Sequence, residues 1–362
     1  MQLLYKDKIF YFRTMNLFRK ILFPFAILYG LITSIRNFLF DKGILKSYSF
    51  DLPIIAVGNL SVGGTGKTPQ IEYLIRLLSN QYSLATLSRG YKRKSTGFVL
   101  ANETSNAEIL GDEPFQFHQK FPSIQVAVDA DRKNGIEQLL AQTHSPQVIL
   151  LDDAYQHRKV KAGFYVLLTA YDDLFSDDCM LPTGNLRESR SGAQRADVIV
   201  VTKCPTTLSE LEQVQIKQKL RRLSKSTQAV YFTFVAYDSV VSSKKETIPV
   251  AEIQQSDCVL LAGIAKPTSF FNHLKNNNSL CLTYPDHHHF SDSDIKEIKQ
   301  KAGNKRIVTT EKDYVRLKDS ILQEQLYYLS IRTSFIADSD QFDATILDFV
   351  KHYFKNNIPT PT

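Results

Sequence analysis

The sequence contains no tryptophan, only three methionines and only four cysteines among its 362 residues. The cysteines are scattered single residues with no C-x-x-C pair, at Cys179, Cys204, Cys258 and Cys281. Isolated cysteines in a chain of this length predict reduced, buried thiols in a cytosolic compartment. Internal repeats and low-complexity tracts are also lacking, so the sequence gives no sign of a repeat architecture.

The overall composition is that of a globular protein, with 43% hydrophobic and 22% charged residues. The length predicts two domains, because a domain typically has roughly 100–200 residues. The net charge of +7 is concentrated in residues 1–50, which hold eight basic side chains and two acidic ones. The remaining chain is nearly neutral, so a broad nucleic-acid-binding surface is not expected.

An apolar segment near the N-terminus, "ILFPFAILYGLITSI" (21–35), is flanked by Arg19, Lys20 and Arg36. It is shorter than the roughly 20 residues of a membrane span, and no signal-peptide cleavage site follows it. Apolar residues with basic flanks predict a shallow anchor in anionic lipid on the cytoplasmic side. A buried core helix is the alternative, and Met15 is an alternative start of the chain.

The stretch "SVGGTGKT" (61–68) follows a β-branched apolar strand (52–60) and precedes a helix that has Pro69 in its first turn. A phosphate-binding loop needs glycines for inward-pointing N–H groups, a lysine for the phosphates and a hydroxyl for Mg²⁺. The sequence predicts this nucleotide site over Ser61, Val62, Gly63, Gly64, Thr65, Gly66, Lys67 and Thr68. Ser61 replaces the usual first glycine, which is acceptable if its φ is negative. An ordinary glycine-rich turn with a solvated Lys67 is the alternative.

Further apolar strands are predicted at 83–88, 124–129, 147–153, 164–170 and 197–203, with helical segments between them. Near-continuous apolar runs are typical of parallel strands covered on both faces. The fold class is therefore α/β, a P-loop NTPase-like, mainly parallel sheet flanked by helices.

The segment after residue 228 has a different pattern. Residues 229–242 alternate and are aromatic, which predicts an antiparallel ribbon with a turn at 242–247, and further strands follow at 258–264, 279–284 and 306–311. We predict an N-terminal membrane-associated segment (1–46), a P-loop nucleotide-binding domain (47–228), and a β-ribbon linker with a smaller α/β domain (229–362).

Several polar motifs could supply the chemistry. Asp152 and Asp153 end a buried strand, where P-loop enzymes place a second metal contact. The motif "LPTGNLRES" offers Arg187 and Glu188. The motif "GDEPFQF" reads as a helix start with Asp112 as the cap. The motif "YPDHHHF" suggests a polar loop before a helix capped by Ser291 or Asp292, an Asp–His pair for proton transfer, or a zinc site.

Taken together, these motifs resemble those of the tetraacyldisaccharide 4′-kinase family. The matching stretches extend from about residue 15 to residue 317 and keep the family's order: "VGNLSVGGTGKTP", "LSRGYKRK", "GDEP", "LLDDAYQHR", "LPTGNLRE", "VTKCP", "AGIAKPTSFF", "YPDHHHF" and "TTEKDYVRL". One departure is Ala154 where the family pattern has glycine. The motif "VTKCP" has Pro205 where a guanine-reading acid would stand, so specificity for guanine is not supported.

The resemblance implies transfer of the γ-phosphate of ATP, with Mg²⁺, to the 4′-hydroxyl of a tetraacylated glucosamine disaccharide 1-phosphate in lipid A biosynthesis. It implies Asp112 as the catalytic base assisted by His287, with Lys67 and Thr68 at the phosphates and Mg²⁺. It further implies Asp152, Asp153 and Glu188 near the metal, and more weakly Arg132, Gln156, His157 and Arg187 at the site. The expected location is the cytoplasmic face of the bacterial inner membrane, and we expect a monomer that binds no nucleic acid.

Two other functions remain open from the residues. One is a membrane-bound P-loop ATPase switch that acts on protein partners. Such ATPases often have a lysine at the position of Val62, which counts against this interpretation. The other is a soluble small-molecule kinase, which the apolar N-terminal segment disfavours.

Overall fold

A computed structural model describes residues 19, 21–225, 227–264, 267–286, 288–321 and 324–357. The chain divides into two compact units, each built from separate stretches of sequence. The first unit is Met1–Lys67, Gln147–Phe234 and Phe335–Thr362, and the second is Thr68–Pro146 and Val235–Ser334. The predicted domain ranges 1–46, 47–228 and 229–362 stay predictions.

The strands of the described residues are β1 (Ile54–Asn59), β2 (Leu84–Ser88), β3 (Val99–Leu100), β4 (Gln125–Val128), β5 (Val148–Asp152), β6 (Phe164–Ala170), β7 (Val198–Thr202), β8 (Ala229–Ser242), β9 (Thr247–Pro249), β10 (Cys258–Ala262), β11 (Leu280–Thr283), β12 (Arg306–Thr310) and β13 (Leu326–Phe335).

The helices are α1 (Phe23–Asp41), α2 (Lys67–Leu78), α3 (Ala107–Leu110), α4 (Asp112–Lys120), α5 (Arg132–Leu140), α6 (Glu210–Arg221), α7 (Val250–Ile253), α8 (Thr268–Leu274), α9 (Asp292–Ala302), α10 (Glu311–Leu317) and α11 (Ser339–Asn357), with a 3₁₀ helix at Arg190–Arg195.

The first unit contains a parallel sheet in the order β8–β7–β6–β1–β5. All residues of β1, β5 and β7 are buried. This confirms the inference from their continuous apolar runs, since parallel strands are covered on both faces. The expected mainly parallel α/β fold is therefore confirmed.

The second unit contains the parallel pair β2–β4, with β3 antiparallel to β4, and the parallel set β11–β10–β12–β13. The apolar positions predicted for helix α2 are buried, with Ile71, Leu74, Ile75 and Leu78 fully inaccessible. Strand β13 was not predicted, although its alternating aromatic sequence "LYYLSIRTSF" carries the usual signal of a strand.

The ribbon predicted at residues 229–242 is confirmed only for its last three residues. Residues 240–242 of β8 pair antiparallel with β9 across the predicted turn. Residues 229–232 instead pair parallel with β7 and are mostly buried. The start of β8 therefore extends the parallel sheet of the first unit, which local alternation cannot reveal.

Helix α1 begins with Pro24 in its first turn and is longer than the predicted apolar segment. It is long and apolar enough to cross a bilayer by length and composition, yet only 11% of its most apolar window is buried. Its exposed side chains include Phe25, Ile27, Leu31 and Ile32, each at least 56% accessible. The alternative of a buried core helix is therefore wrong.

The cysteines are only partly as expected. All four are free thiols, and Cys204 and Cys258 are buried, but Cys281 is exposed. Cys281 lies on β11, whose residues are mostly exposed. Burial raises the pKa of the Cys204 thiol to about 12.

Candidate active site

The loop between β1 and α2 has the backbone conformation of a phosphate-binding loop. Gly63 and Gly66 adopt φ values of 116° and 83°, where a side chain would be strained. Ser61 has no such positive φ and is 3% exposed. The condition for a serine at this position is therefore met.

Two carbonyl groups of this loop accept hydrogen bonds from the last residue of strand β7 and from the residue after it. The Thr202 hydroxyl donates to the Thr65 carbonyl at 2.7 Å, and Lys203 Nζ donates to the Gly64 carbonyl at 2.6 Å. Within the described ranges of the chain, the N–H groups of Gly63, Gly64 and Gly66 donate to no protein acceptor. Donors without protein acceptors at the start of a helix form an anion site.

Lys67 begins helix α2, and its ammonium group lies between two acceptors. Its Nζ is 3.3 Å from Asn59 Oδ1 and 3.5 Å from Asp153 Oδ1. Arg187 Nη1 donates to both carboxylate oxygens of Asp153, at 3.0 and 3.1 Å. Burial alone would raise the pKa of Asp153, but Lys67 and Arg187 together hold it below its usual value. The carboxylate therefore stays ionised between two cations.

The turn after β5 explains why this chain can have Ala154 where the family pattern has glycine. Asp153 adopts a φ of 49°, whereas Ala154 has no positive φ. The strained position is thus one residue before Ala154, and alanine is compatible with the turn. Before it, Asp152 ends β5 and is 8% exposed. Both acids lie at the carboxyl end of the sheet, where α/β folds bind ligands.

Glu188 is fully buried, and nitrogen donors surround its carboxylate. Arg195 Nη2 donates to both oxygens at 2.8 and 2.9 Å. Gln156 Nε2 donates to Oε1 at 2.9 Å, and Asn37 Nδ2 donates to Oε2 at 2.7 Å. Gln156 Nε2 also donates to the Asn59 carbonyl at 2.8 Å. Glu188 therefore connects helix α1 to the turns around the P-loop, and its role near the metal stays a prediction.

Two more contacts fix helix α1 to the same turns. The Tyr29 hydroxyl donates to the Arg187 carbonyl at 2.9 Å, and Arg36 donates to the Gln156 carbonyl at 3.2 Å. The adjacent His157 belongs to the turn after β5, where its backbone N–H donates to the Ala154 carbonyl. One face of the apolar helix is thus joined to residues that the sequence assigns to the site.

The other predicted site residues belong to the second unit. Thr68 is the second residue of α2. Arg132 is 3% exposed and donates to the carbonyls of Asp129 and Ala130 at 3.2 and 3.3 Å. Asp112 begins helix α4, and Gly111 occupies the cap position that the sequence assigned to Asp112.

Asp112 forms an ion pair with Arg316 of helix α10, which the sequence did not predict.

The loop with three histidines is described only in part, because His287 lies outside the described residues. Helix α9 after the loop is capped by Ser291, as one of the alternatives predicted. His288 Nε2 lies 3.0 Å from Asp294 Oδ2. No group of three or more His, Cys, Asp or Glu residues forms a metal site in the part of the chain that the structure describes. The zinc alternative includes His287, so it stays a prediction.

Sequence reasoning missed several residues that hold the site. Lys203 lies in the quoted motif "VTKCP", so its place was signalled although its contact with the P-loop was not. Asn37 had no local signal, because its partner Glu188 is 151 positions away. Asn59 and Arg195 lie within eight positions of their partners Lys67 and Glu188, but the sequence assigned neither of them a role. Arg316 lies in the quoted motif "TTEKDYVRL", to which the sequence assigned no role.

Comparison with known proteins shows the family to which the chain belongs. Residues 18–351 match the family described as tetraacyldisaccharide-1-P 4′-kinase. The tetraacyldisaccharide 4′-kinase of Flavobacterium johnsoniae is 71% identical over 337 residues, covering 93% of this chain and 98% of that protein. That of Bacteroides thetaiotaomicron is 43% identical, covering 93% of this chain and 95% of that protein.

Among solved structures, LpxK from Aquifex aeolicus in complex with ATP is similar with a TM-score of 0.75 at 30% identity. The similarity covers 92% of this chain and 99% of that chain. The resemblance inferred from the motifs is confirmed, and the chain belongs to the tetraacyldisaccharide-1-P 4′-kinase family.

Proposed function

We propose that the chain is an ATP-dependent kinase that phosphorylates the 4′-hydroxyl of a tetraacylated glucosamine disaccharide 1-phosphate, giving the bis-phosphorylated lipid A precursor. The P-loop carries this proposal. Gly63, Gly64 and Gly66 offer N–H groups to phosphate oxygens, and Lys67 stands beside them with Asn59 and Asp153 at its ammonium group. Membership of the kinase family supplies the acceptor.

Mg²⁺ fits the residues present at this site. Magnesium bound to nucleotides usually takes one or two carboxylates and hydroxyls from the protein, and phosphates and water complete its shell. In the first unit, Asp152 and Asp153 at the end of β5 are the residues that would hold it, and the Thr68 hydroxyl stays a predicted ligand. When bound, Mg²⁺ neutralises charge on the phosphate oxygens.

The reaction is an in-line phosphoryl transfer. The hydroxyl oxygen bonds to the γ-phosphorus as its bond to the bridging oxygen breaks, and ADP leaves. Lys67 stabilises negative charge on the transferred group. Asp112 accepts the hydroxyl proton with the assistance of His287, as the family resemblance implies. Arg187, paired with Asp153, adds positive charge beside Lys67.

Consumption of ATP tests this function against the ATPase alternative. Release of ADP by the purified full chain would be followed with and without the acylated disaccharide 1-phosphate, with Lys67→Ala as the inactive control. A kinase releases ADP in proportion to the lipid phosphorylated. ADP release that needs only a protein partner and leaves the lipid unchanged would favour the switch.

We also propose that the enzyme is a monomer and that helix α1 anchors it to the cytoplasmic leaflet of the inner membrane. The exposed residues Leu28 and Ile32 present an apolar surface, and the exposed Lys42 and Lys46 follow the helix. Apolar insertion and attraction of lysine to anionic lipid act together at such an interface. An acceptor with acyl chains is itself a membrane component, so the anchor brings the enzyme to its substrate.

Sedimentation with vesicles of phosphatidylglycerol and phosphatidylethanolamine tests the anchor. The variant Leu28→Glu/Ile32→Glu is expected to bind at least ~10²-fold more weakly, since two apolar side chains leave the lipid. Leu211→Glu is the matched control, because Leu211 is 68% exposed on helix α6. Unchanged sedimentation of the double variant would contradict the anchor.

A further inference from the structure

Two motifs of the sequence, "AGIAKP" and "TTEKDYVRL", have no role in the reaction as described so far. In the second unit the first motif contacts the second, and the second contacts the motif "GDEP". Asp112 begins helix α4, and Arg316 lies in the last turn of helix α10. Arg316 Nη2 donates to Asp112 Oδ2. The expected base is thus in direct contact with a residue 204 positions later in the chain.

The two partners differ in their exposure. The Asp112 side chain is 27% exposed, whereas the Arg316 side chain is 9% exposed and that of Asp313 is inaccessible. Asp313 Oδ1 lies 3.6 Å from Arg316 Nη1. Arg316 therefore lies between a fully buried carboxylate and one that reaches the surface, and the surface carboxylate is the one that can meet a substrate.

Asp313 is fixed by two donors of its own. Its Oδ2 accepts hydrogen bonds from the Gly263 N–H at 2.8 Å and from the Thr310 hydroxyl at 2.7 Å. A side chain at Gly263 would place its Cβ 2.9 Å from Asp313 Oδ1 and 3.3 Å from the Pro285 carbonyl. Asp313 is consequently held in one orientation, and the glycine of "AGIAKP" is required for that contact.

A role in stability alone does not account for this arrangement. Burying an ion pair removes both charges from water, so it contributes little net stability compared with apolar packing. Helices α4 and α10 are also joined by a second pair, Glu113 and Lys312 at 3.0 Å. What the Arg316 contact adds is a fixed direction for one carboxylate, because the planar guanidinium donates in a defined geometry.

We propose that Arg316, itself fixed by Asp313, is a positioning residue that orients the Asp112 carboxylate to accept the proton of the acceptor hydroxyl. This rests on the function proposed above, in which Asp112 is the base. Phosphoryl transfer depends on positioning more than on covalent chemistry, so a misdirected base costs rate rather than nucleotide affinity.

A double-mutant cycle on the full chain tests the proposal, with kcat and the KM for ATP measured using the acylated disaccharide acceptor. Arg316→Gln is expected to lower kcat by roughly 10²-fold and leave the KM for ATP within about twofold. Asp112→Asn is expected to lower kcat by at least ~10²-fold. The double variant should be within about twofold of Asp112→Asn, because residues that act as a unit do not add.

Two further variants separate positioning from folding. Lys312→Gln removes the neighbouring pair between the same two helices and is expected to keep the wild-type kcat. Melting temperatures are recorded for every variant. If Arg316→Gln does not fold, Arg316→Lys carries the same cycle, since it keeps the charge but not the planar donor group.

The outcomes are distinct. A kcat for Arg316→Gln equal to that of the wild type, or losses that multiply in the double variant, would overturn the positioning role alone. Full turnover by Asp112→Asn would overturn the base role of Asp112 and the positioning role together. The proposal is supported if Arg316→Gln lowers kcat in the otherwise wild-type chain but lowers it no further when Asp112→Asn is already present.

Discussion

Glu188 offers the sharpest test of how the site is held together. The change Glu188→Gln keeps the size of the side chain and removes its charge. The Glu188 carboxylate is fully buried and accepts hydrogen bonds from Arg195, Gln156 and Asn37. An amide can accept at its oxygen only, so its NH₂ group would face one of these donors.

The expected loss of stability follows from the buried pair. Removing one partner of a buried ion pair typically costs about 3–5 kcal/mol, because the other charge stays buried without compensation. Arg195 is 20% exposed on its side chain, so some water reaches it and the lower value applies. If the free energy of unfolding falls by about 3 kcal/mol per M of urea, a loss of about 3 kcal/mol of stability lowers the urea concentration at the unfolding midpoint by about 1 M.

Urea unfolding followed by far-ultraviolet circular dichroism measures this shift, since the chain has no tryptophan for fluorescence. The matched control is Glu188→Leu/Arg195→Met, which removes both charges and should be more stable than Glu188→Gln. An unchanged midpoint for Glu188→Gln, together with a raised requirement for Mg²⁺, would refute this reasoning and assign the carboxylate to the metal.

Three further predictions concern the P-loop, the core and the thiols. Lys203→Met is expected to raise the KM for ATP by roughly tenfold in steady-state assays, because a charged donor no longer holds a P-loop carbonyl. Gly58→Ala should lower stability by about 1–3 kcal/mol in urea unfolding, since its Cβ would lie 2.7 Å from Tyr155 Cβ. At pH 8, iodoacetamide should label Cys281 well before Cys204. The pKa of Cys204 is raised to about 12, so its reactive thiolate forms only as the pH rises far above 8. Equal labelling rates would contradict the burial of Cys204.

The sequence predicted the parts of the fold whose signals are local. Continuous apolar runs predicted the parallel strands, and glycine spacing predicted the loop before Lys67. The start of β8 was misassigned because alternation of residues 229–242 describes burial but not the partner strand. Strand pairing is decided by residues elsewhere in the chain, which a local pattern does not contain.

The same limit applies to the site. Asp153 was predicted from its position after a strand, and its cationic neighbours Lys67 and Arg187 came from motifs already quoted. The partners of Glu188 and Asp112 could not be predicted in this way, because Asn37 and Arg316 are 151 and 204 positions away. Such contacts arise only when packing brings distant segments of the chain together.

The central claim is phosphorylation of the 4′-hydroxyl of the acylated disaccharide. The purified full chain in detergent would be incubated with Mg²⁺, ATP and the tetraacylated disaccharide 1-phosphate, and the lipid product analysed by mass spectrometry and ³¹P–¹H correlation. We predict a doubly phosphorylated lipid in which the new phosphorus couples to the proton at position 4′. A lipid that stays singly phosphorylated while the P-loop binds ATP would contradict the claim.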